Sequence, residues 1–519
     1  MPRAADVRAA LALAAILLLG IGLRLPYIST PLLDAHRWRQ VDTAVMARYF
    51  HEDSLNLFYP QVNWGGARGY VESELPLVPF IAALLYHAFG PDDMWGRMTS
   101  VGFSAGLIVF VFLAVREMCG SATGRAAALL VAVSPGAVYY GRTFMPDTAM
   151  LCFAVGALYA WIRHLEGGSR RALAWSSALL SLSILVKLPG VLVLLPMAAA
   201  AWQARGRAAL ADRRLWTAVA VALVIAAAWY VHAYLVFRET GLTFGILAHP
   251  ARTYPPEVSP GPWPDVFSKW STVALLTDGD FYRTLLHRIV RLHLTPVGFS
   301  IALVGLLTWR SRWSLVPAAW LAAMTLFVLG AGFGHLAHDY YQLPLVIIGA
   351  MYFGVVAAPL FDGEWLSARI GGRWRGPVAS GVLVTALSLL LFFESAVIRT
   401  HFRPARLDTD IQQAGAAVDR AAAERDALLI VVDDYGVTSP VLLYFAGRRG
   451  WSFGPRDLTP ALVDWLRKLG ARYFVTTEWD ELSELNPEVA AYVARHRRVP
   501  LDGEPPQTRL FDLRQFQED

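Results

Sequence analysis

Leu75-Pro76-Leu77-Val78-Pro79-Phe80-Ile81-Ala82-Ala83-Leu84-Leu85-Tyr86-His87-Ala88-Phe89 is an apolar run of fifteen residues, interrupted by Pro76 and Pro79 and carrying His87 near its end. A helix rises about 1.5 Å per residue and the hydrocarbon core of a bilayer is about 30 Å thick, so a crossing needs about 20 apolar residues. This run falls short and reads as an interfacial or re-entrant helix. The decision sets the parity of everything after it.

Eleven other apolar runs are candidate spans: Ala9 to Leu23, Trp95 to Val115, Arg125 to Tyr140, Asp147 to Ile162, Leu173 to Val186, Gly190 to Ala204, Trp216 to Phe237, Leu292 to Trp309, Leu315 to Phe333, Tyr341 to Leu360 and Val378 to Ile398. With Leu75 to Phe89 set aside, Arg116 and Arg125, Arg163 with Arg170 and Arg171, Arg205 to Arg214, Arg310 with Arg312, and Arg369 to Arg375 all fall on the side of Arg3 and Arg8. The positive-inside rule then holds throughout, with the N-terminus inside, whereas counting the fifteen-residue run as a span would export every cluster. The segments 34–74, 141–146, 187–189, 238–291 and 334–340 are placed on the outer face.

Composition agrees. Of 519 residues, 55% are hydrophobic and 18 are Trp, and mean hydropathy is +0.42, so most of the chain lies in lipid. The first run lacks a small-residue cleavage site after it and reads as a retained signal anchor. Cys119 and Cys152 sit in or beside apolar segments and make no disulfide framework. The net charge of +5 comes from arginines between apolar runs, as in cytoplasmic loops, and no nucleic-acid-binding module is visible. After Arg399 the composition turns soluble: 428–432, 451–453, 472–477 and 509–513 read as strands, 460–469 and 487–495 as helices. The expected fold is a polytopic α-helical membrane protein, 1–399, with about eleven spans plus juxtamembrane helices, followed by a small extracytoplasmic α/β domain, 400–519. The predicted location is the inner (plasma) membrane, multi-pass.

The polar residues of interest gather in the outer segments. Eleven residues after the first run stands Asp34-Ala35-His36-Arg37-Trp38-Arg39-Gln40-Val41-Asp42. The following segment, 36–50, patterns as an amphipathic helix with Trp38, Val41, Val45 and Phe50 apolar and Arg39, Asp42 and Arg48 polar. Asp34-x-x-Arg37-Trp38 resembles the Asp-Glu-x-Arg-Tyr signature in the first outer loop of GT-C glycosyltransferases of the protein O-mannosyltransferase and lipid A aminoarabinose transferase type, a glycosyltransferase family 39-like group. Ala35 stands where that family often carries a second acid. The resemblance implies a GT-C architecture and a catalytic Asp34; a helix-capping Asp34 is the alternative.

Four further motifs follow in the order of that family. Glu74-Leu75-Pro76-Leu77 looks like the start of its second juxtamembrane helix, which makes Glu74 a second catalytic candidate or else a helix-start acid. Gly141-Arg142-Thr143-Phe144-Met145-Pro146-Asp147 resembles its short second outer loop, with Asp147 catalytic or at a helix start and Arg142 on the substrate. Lys187, in Leu-Val-Lys-Leu-Pro-Gly, resembles its phosphate-side lysine, or snorkels at a span end. His335-x-x-His338-Asp339-Tyr340-Tyr341 resembles the motif opening a late span. Arg37, Arg142, Lys187, His335, His338, Asp339, Tyr340 and Tyr341 are thus the expected donor-phosphate or substrate residues. His335, His338 and Asp339 also raise a metal site, but without an assured third partner no metal or other cofactor is expected. The proline-rich stretch around Trp263 and Trp270 in 238–291 reads as an ordered lid or a packing platform.

The resemblance implies an inverting, mannosyltransferase-like enzyme of the cell envelope, a hexosyl- or pentosyltransferase. It would move a sugar from a polyprenyl-phosphate donor in the lipid bilayer to an extracytoplasmic acceptor, be it protein, lipid or glycan. A multi-span lipid or glycolipid transporter is the first rival, and it predicts ionisable residues at mid-membrane instead of at the outer ends. A non-catalytic assembly protein is the second, and it explains the tail alone.

Overall fold

A computed structural model describes residues 4–247, 273–362, 368, 375–393, 400–404, 406–422, 424–503 and 506–516. Most of the proline-rich stretch in 238–291, the arginine cluster Arg369 to Arg373 and the end of the last apolar run lie outside these residues. All eleven apolar runs are helical in whole or in part. Among the described residues five helices are long and apolar enough to cross a membrane: Asp93–Cys119, Asp147–Gly167, Leu188–Arg205, Arg213–Thr240 and Asp339–Phe361. Gly279–His293 and Pro296–Thr308 make a sixth if taken together, although they bend by 104° at the break. Proline interrupts two of the remaining runs, at Pro135 and Pro296, while Ala9–Arg24, Leu315–Gly330 and Val378–Phe392 are apolar helices of 10–17 residues. Leu77–Phe89 is a 13-residue helix, about 20 Å long and so of interfacial length.

Contacts divide the chain into two units that do not follow its order. The first comprises Met1–Ser29, Arg97–Trp229 and Phe267–Phe402. At its centre the helix Ser121–Val133 is buried from Ala126 to Val133, and small residues let neighbours approach closely. The next helix, Pro135–Tyr140, follows after a break at Ser134. Pro135 has no N–H to give the Val131 carbonyl, and Arg24 supplies the missing donor. Its Nη2 donates to Val131 and Ala137 carbonyls at 3.1 and 2.9 Å, its Nη1 to Gly20 and Ala132 carbonyls at 2.7 and 2.9 Å. A side chain at Gly141 would place its Cβ 2.3 Å from Arg24 Nε, so the guanidinium is also why the chain turns there on glycine. Apolar residues on the outer surface of these helices, such as Leu18, Leu307 and Leu326, are exposed.

The second unit comprises Thr30–Gly96, Tyr230–Val266 and Arg403–Asp519. It holds the five-stranded sheet β1 (Leu428–Val432), β2 (Gly450–Phe453), β3 (Ala471–Thr476), β4 (His496–Val499) and β5 (Arg509–Phe516), ordered β2-β1-β3-β5-β4. β1 is parallel to β2 and β3, while β5 runs antiparallel to β3 and β4. The four expected strands and two expected helices are present; β4 is an addition, because His496-Arg497-Arg498 lacks an apolar alternation.

Alternate residues of β1 serve two cores, and both faces are covered, which is why the strand reads as continuously apolar. Ile430 and Val432 pack with Phe474, Leu462, Leu466 and Val493. Leu429 and Val431 pack with Ile411, Ala414 and Val418, and also with Met46, Phe50, Val62 and Trp64 from before the second span. A division at 399/400 along the sequence therefore separates residues that share one core. The segment 63–66 lies against β2, where Gly450 exchanges backbone bonds with Asn63 and Gly66, and a Cβ at Gly450 would stand 1.9 Å from the Leu429 carbonyl oxygen.

Replacing Arg24 by Met leaves the Val131 carbonyl without the donor that Pro135 cannot give, at about 1–3 kcal/mol, and removes a further bond from the Gly20, Ala132 and Ala137 carbonyls. We expect Arg24→Met to lower the thermal unfolding midpoint in detergent sharply and Arg24→Lys to lower it less, since an ammonium reaches fewer of the four carbonyls. Midpoints equal to that of the parent would remove Arg24 from this role.

Candidate active site

Asp34 lies in the second unit, in the turn before the helix Arg37–Glu52, and is 4% exposed. The capping position belongs to His36, whose side chain makes no capping bond and whose φ of 56° is left-handed, so Asp34 does not occupy it. Instead Asp34 Oδ1 accepts from Gln40 Nε2 at 2.6 Å, one helical turn ahead. Arg37 stacks over the Tyr435 ring, 5.0 Å from its centroid, and donates through Nε to the Tyr435 hydroxyl. Glu74 pairs with Arg39 at 2.8 Å. It stands three residues before the first helical residue, Leu77, whose helix has no acid in its first turn, so the helix-start reading of Glu74 is not met.

The amphipathic expectation for this helix needs a correction. Ten of its sixteen residues are buried, from Gln40 to Ala47 and at Tyr49 and Phe50. Asp42, expected on the polar face, is 2% exposed, while Trp38, expected on the apolar face, is 37% exposed. The helix is enclosed on most sides by the core it shares with β1, so its polar side had no solvent to face. Asp42 Oδ1 accepts from Trp64 Nε1 at 3.1 Å. Burial pushes the Asp42 carboxyl up to about 7, against the pull of Arg39 and the hydrogen bonds from Trp64 and Trp38.

The other candidates belong to the first unit. Asp147 opens the helix Asp147–Gly167, and Lys187 closes Arg170–Val186; the two helices form a hairpin that turns at Gly168 and Ser169. Their ends therefore return to one level, and Lys187 Nζ donates to Asp147 Oδ1 at 2.6 Å with both side chains buried. Asp147 Oδ2 has no partner. The ammonium also sits over Tyr340, 4.6 Å from the ring centroid, and 5.5 Å from that of Tyr341. Arg142 is buried, donates to the Tyr27 carbonyl at 2.7 Å, and lies 4.7 Å over the Phe402 ring.

Asp339 accepts from the Tyr140 hydroxyl and meets His401 Nε2 at 3.0 Å. His293 Nε2 is 2.9 Å from the Asp339 carbonyl. His338 stacks on Tyr340, whereas His335 is buried against Phe327, with Gln342 Nε2 3.2 Å from its Nδ1. Among the described residues the one group of three or more ligand-type side chains close enough for a single ion lies in the C-terminal sheet, and His335, His338 and Asp339 are not in it.

Segments 141–147, 187–189 and 334–341 thus meet at one end of the first unit. Tyr140, His293 and His401 join them unannounced by the sequence, since each is a single polar residue at the end of an apolar run. Gln40 and Arg39, partners of Asp34 and Glu74, stand inside the signature stretch, but at separations of 6 and 35 residues no helical spacing pairs them.

The family model described as dolichyl-phosphate-mannose-protein mannosyltransferase matches residues 73–232. Among curated proteins no sequence matches. Among solved structures the chain is similar to ArnT from Cupriavidus metallidurans bound to undecaprenyl phosphate, with a TM-score of 0.62 and 14% identity over 98% of each chain. The apo state of that protein gives 0.61 and 16%, again over 98% of each. The archaeal oligosaccharyltransferase AglB from Archaeoglobus fulgidus, solved with an inhibitory peptide and a dolichol-phosphate, gives 0.53 and 13% over 97% of this chain and 75% of that one. At these identities the likeness of structure is one of fold. The GT-C architecture and the resemblance to its glycosyltransferases are borne out by the family match and the folds together.

Because the folded state holds the Asp42 proton up to about pH 7 and an unfolded chain releases it near 4, the native form binds more protons between those values. Stability then falls as pH rises through that window. Asp42→Asn keeps the Trp64 bond and removes the ionisation, so its unfolding midpoint should match the parent near pH 4 and exceed it increasingly up to pH 7. The gap corresponds to at most about 4 kcal/mol. A difference that does not change with pH would contradict this assignment.

Proposed function

We propose that the chain is an inverting glycosyltransferase that takes a sugar from a polyprenyl-phosphate donor and transfers it to an extracytoplasmic acceptor. The observation that carries the reading is the buried Lys187 ammonium, held by Asp147 and backed by Tyr340 and Tyr341 at the ends of apolar helices. An ammonium has three donors and the Asp147 bond uses one, so the group retains capacity for an anion. Direct displacement at an anomeric carbon passes through an oxocarbenium-like state, needs a base for the acceptor hydroxyl, and gains from cations on the departing phosphate. Lys187 and Arg142 take the phosphate side, with Asp147 positioning Lys187. Asp34 takes the acceptor proton, with Gln40 orienting its carboxylate; Glu74 holds Arg39. A phosphate needs less protonation on leaving than an alkoxide, so the step calls on no cofactor and on one carboxylate base. His338, Asp339 and His401 stand in the cluster around Tyr340 with Lys187.

The same reading places the eleven apolar runs across the plasma membrane, the N-terminus inside, and 400–519 outside. It is supported by segments 141–147, 187–189 and 334–341, exported together by the arginine pattern, meeting in one cluster. A transporter would instead carry its buried ionisable pair at mid-membrane.

Asp34→Asn preserves shape and removes basicity. With purified protein and polyprenyl-phosphate sugars, transfer should fall 10²- to 10⁴-fold, about 3–5 kcal/mol at the transition state, while donor binding persists. Near-normal turnover would move the base elsewhere. For the threading, single cysteines at Arg170 and Arg207 in a background lacking Cys119 and Cys152 should resist an impermeant maleimide in intact cells, and one at Asp480 should react. Labelling at Arg207 from outside would invert the topology.

A further inference from the structure

The Lys187 ammonium is placed by two neighbours, the Asp147 carboxylate at 2.6 Å and the Tyr340 ring, whose centroid is 4.6 Å away. One residue along the chain from each of them stands a group that binds Tyr140. Thr148, next to Asp147, donates through Oγ1 to the Tyr140 carbonyl at 2.8 Å. Asp339, next to Tyr340, accepts from the Tyr140 hydroxyl. The Tyr140 ring also lies edge-on to the Tyr340 ring, with centroids 5.9 Å apart. Tyr140 thereby connects the start of the helix Asp147–Gly167 to the single turn Asp339–Gln342.

The Asp339 end of this connection is held from three elements. Tyr140, the last residue of the helix Pro135–Tyr140, takes one carboxylate oxygen; His401 Nε2 lies 3.0 Å from the other, and His293 Nε2 lies 2.9 Å from the Asp339 carbonyl. One partner leaves a carboxylate free to turn about its bonds, whereas partners on both oxygens and on the carbonyl fix the side chain and the turn together. His401 packs edge-on against Tyr139, with centroids 5.1 Å apart. The Ser134 hydroxyl donates to the His293 carbonyl, and the His293 ring lies so near the chain that a Cβ at Gly136 would stand 2.5 Å from its Nδ1. A buried tyrosine hydroxyl needs some partner, and a backbone carbonyl would serve. An acid in that place calls for further donors of its own, and what the arrangement yields is a fixed position for the residue that follows it, Tyr340.

We propose that Tyr140 is a positioning residue for the donor phosphate, linking the two supports of the Lys187 ammonium, and that His401 completes the hold by securing the second Asp339 oxygen. The inference rests on Lys187 as the phosphate ligand. Neither Tyr140 nor His401 has to touch the substrate. Loss of either lets Tyr340 and then the ammonium shift, and a charge-assisted bond to phosphate weakens steeply with distance and angle.

The test measures binding of undecaprenyl phosphate to the full-length protein in detergent by thermophoresis, beside the unfolding midpoint of each variant. Tyr140→Phe keeps the ring and removes the hydroxyl, and we expect it to weaken binding about 10-fold, the size of one lost charge-assisted bond. His401→Ala should do the same, and His401→Gln, whose amide still donates to Asp339, should restore most of the affinity. In a Lys187→Met background, which itself weakens binding, Tyr140→Phe should cost no further affinity, because both changes act through one contact, whereas a merely structural effect would add. If Lys187→Met weakens binding while Tyr140→Phe and His401→Ala bind as the parent does, the positioning role is overturned and Lys187 keeps the phosphate. A loss that stays full-sized in the Lys187→Met background overturns the role as well. Parent affinity in Lys187→Met itself would take the phosphate away from Lys187, and the positioning role with it.

Discussion

The first unit depends on a guanidinium substituting for a proline's missing N–H. The helix that begins at Ser121 cannot run straight through Pro135, and a carbonyl left open in an apolar interior costs several kcal/mol. Arg24 meets three carbonyls around that break, those of Val131, Ala132 and Ala137, and lets the chain bend at a fixed place. The polar residues next in sequence are placed by the bend. Tyr140 ends the short helix after it, Arg142 follows the Gly141 turn, and Asp147 starts the next helix beside Lys187.

Two buried charges of the first unit are each held by a close partner of the opposite kind. Lys187 with Asp147 and Asp339 with His401 are close pairs with little exposure, and a buried ion pair such as Lys187 with Asp147 stabilises less than its attraction suggests because both ions were desolvated. Their value lies in geometry. An ammonium fixed between a carboxylate and a tyrosine ring cannot snorkel away from its position, and a lysine that cannot move presents its remaining donors in one direction.

The second unit uses burial differently. Its central helix, Arg37–Glu52, gives one side to the core behind β1 and carries Asp42 inside, next to Trp64. Glu72, also buried, accepts from the Thr243 hydroxyl and the Leu247 N–H, which ties the segment after the Arg213–Thr240 helix to the segment before Leu77. Acids placed this way are held neutral or strongly hydrogen-bonded, and the pH at which they ionise becomes a property of the fold.

The linear order of apolar runs determined a great deal by itself. It determined helices at each run, an interfacial length for Leu77–Phe89, an α/β tail, and the gathering of Arg142, Asp147, Lys187 and Tyr340 on one side, because hydropathy and loop charge are read one segment at a time. The signature at Asp34 to Trp38 likewise stood in the sequence. Only the tertiary structure decided which carboxylate meets which cation, that Asp42 faces inward, that Tyr140, His293 and His401 surround Asp339, and that Met46, Phe50, Val62, Trp64 and Val71 share a core with β1. Those outcomes turn on contacts between segments tens to hundreds of residues apart. Local periodicity reports whether a side of a helix is apolar, but what covers that side, and whether any side is left for water, is settled by the packing of the whole unit.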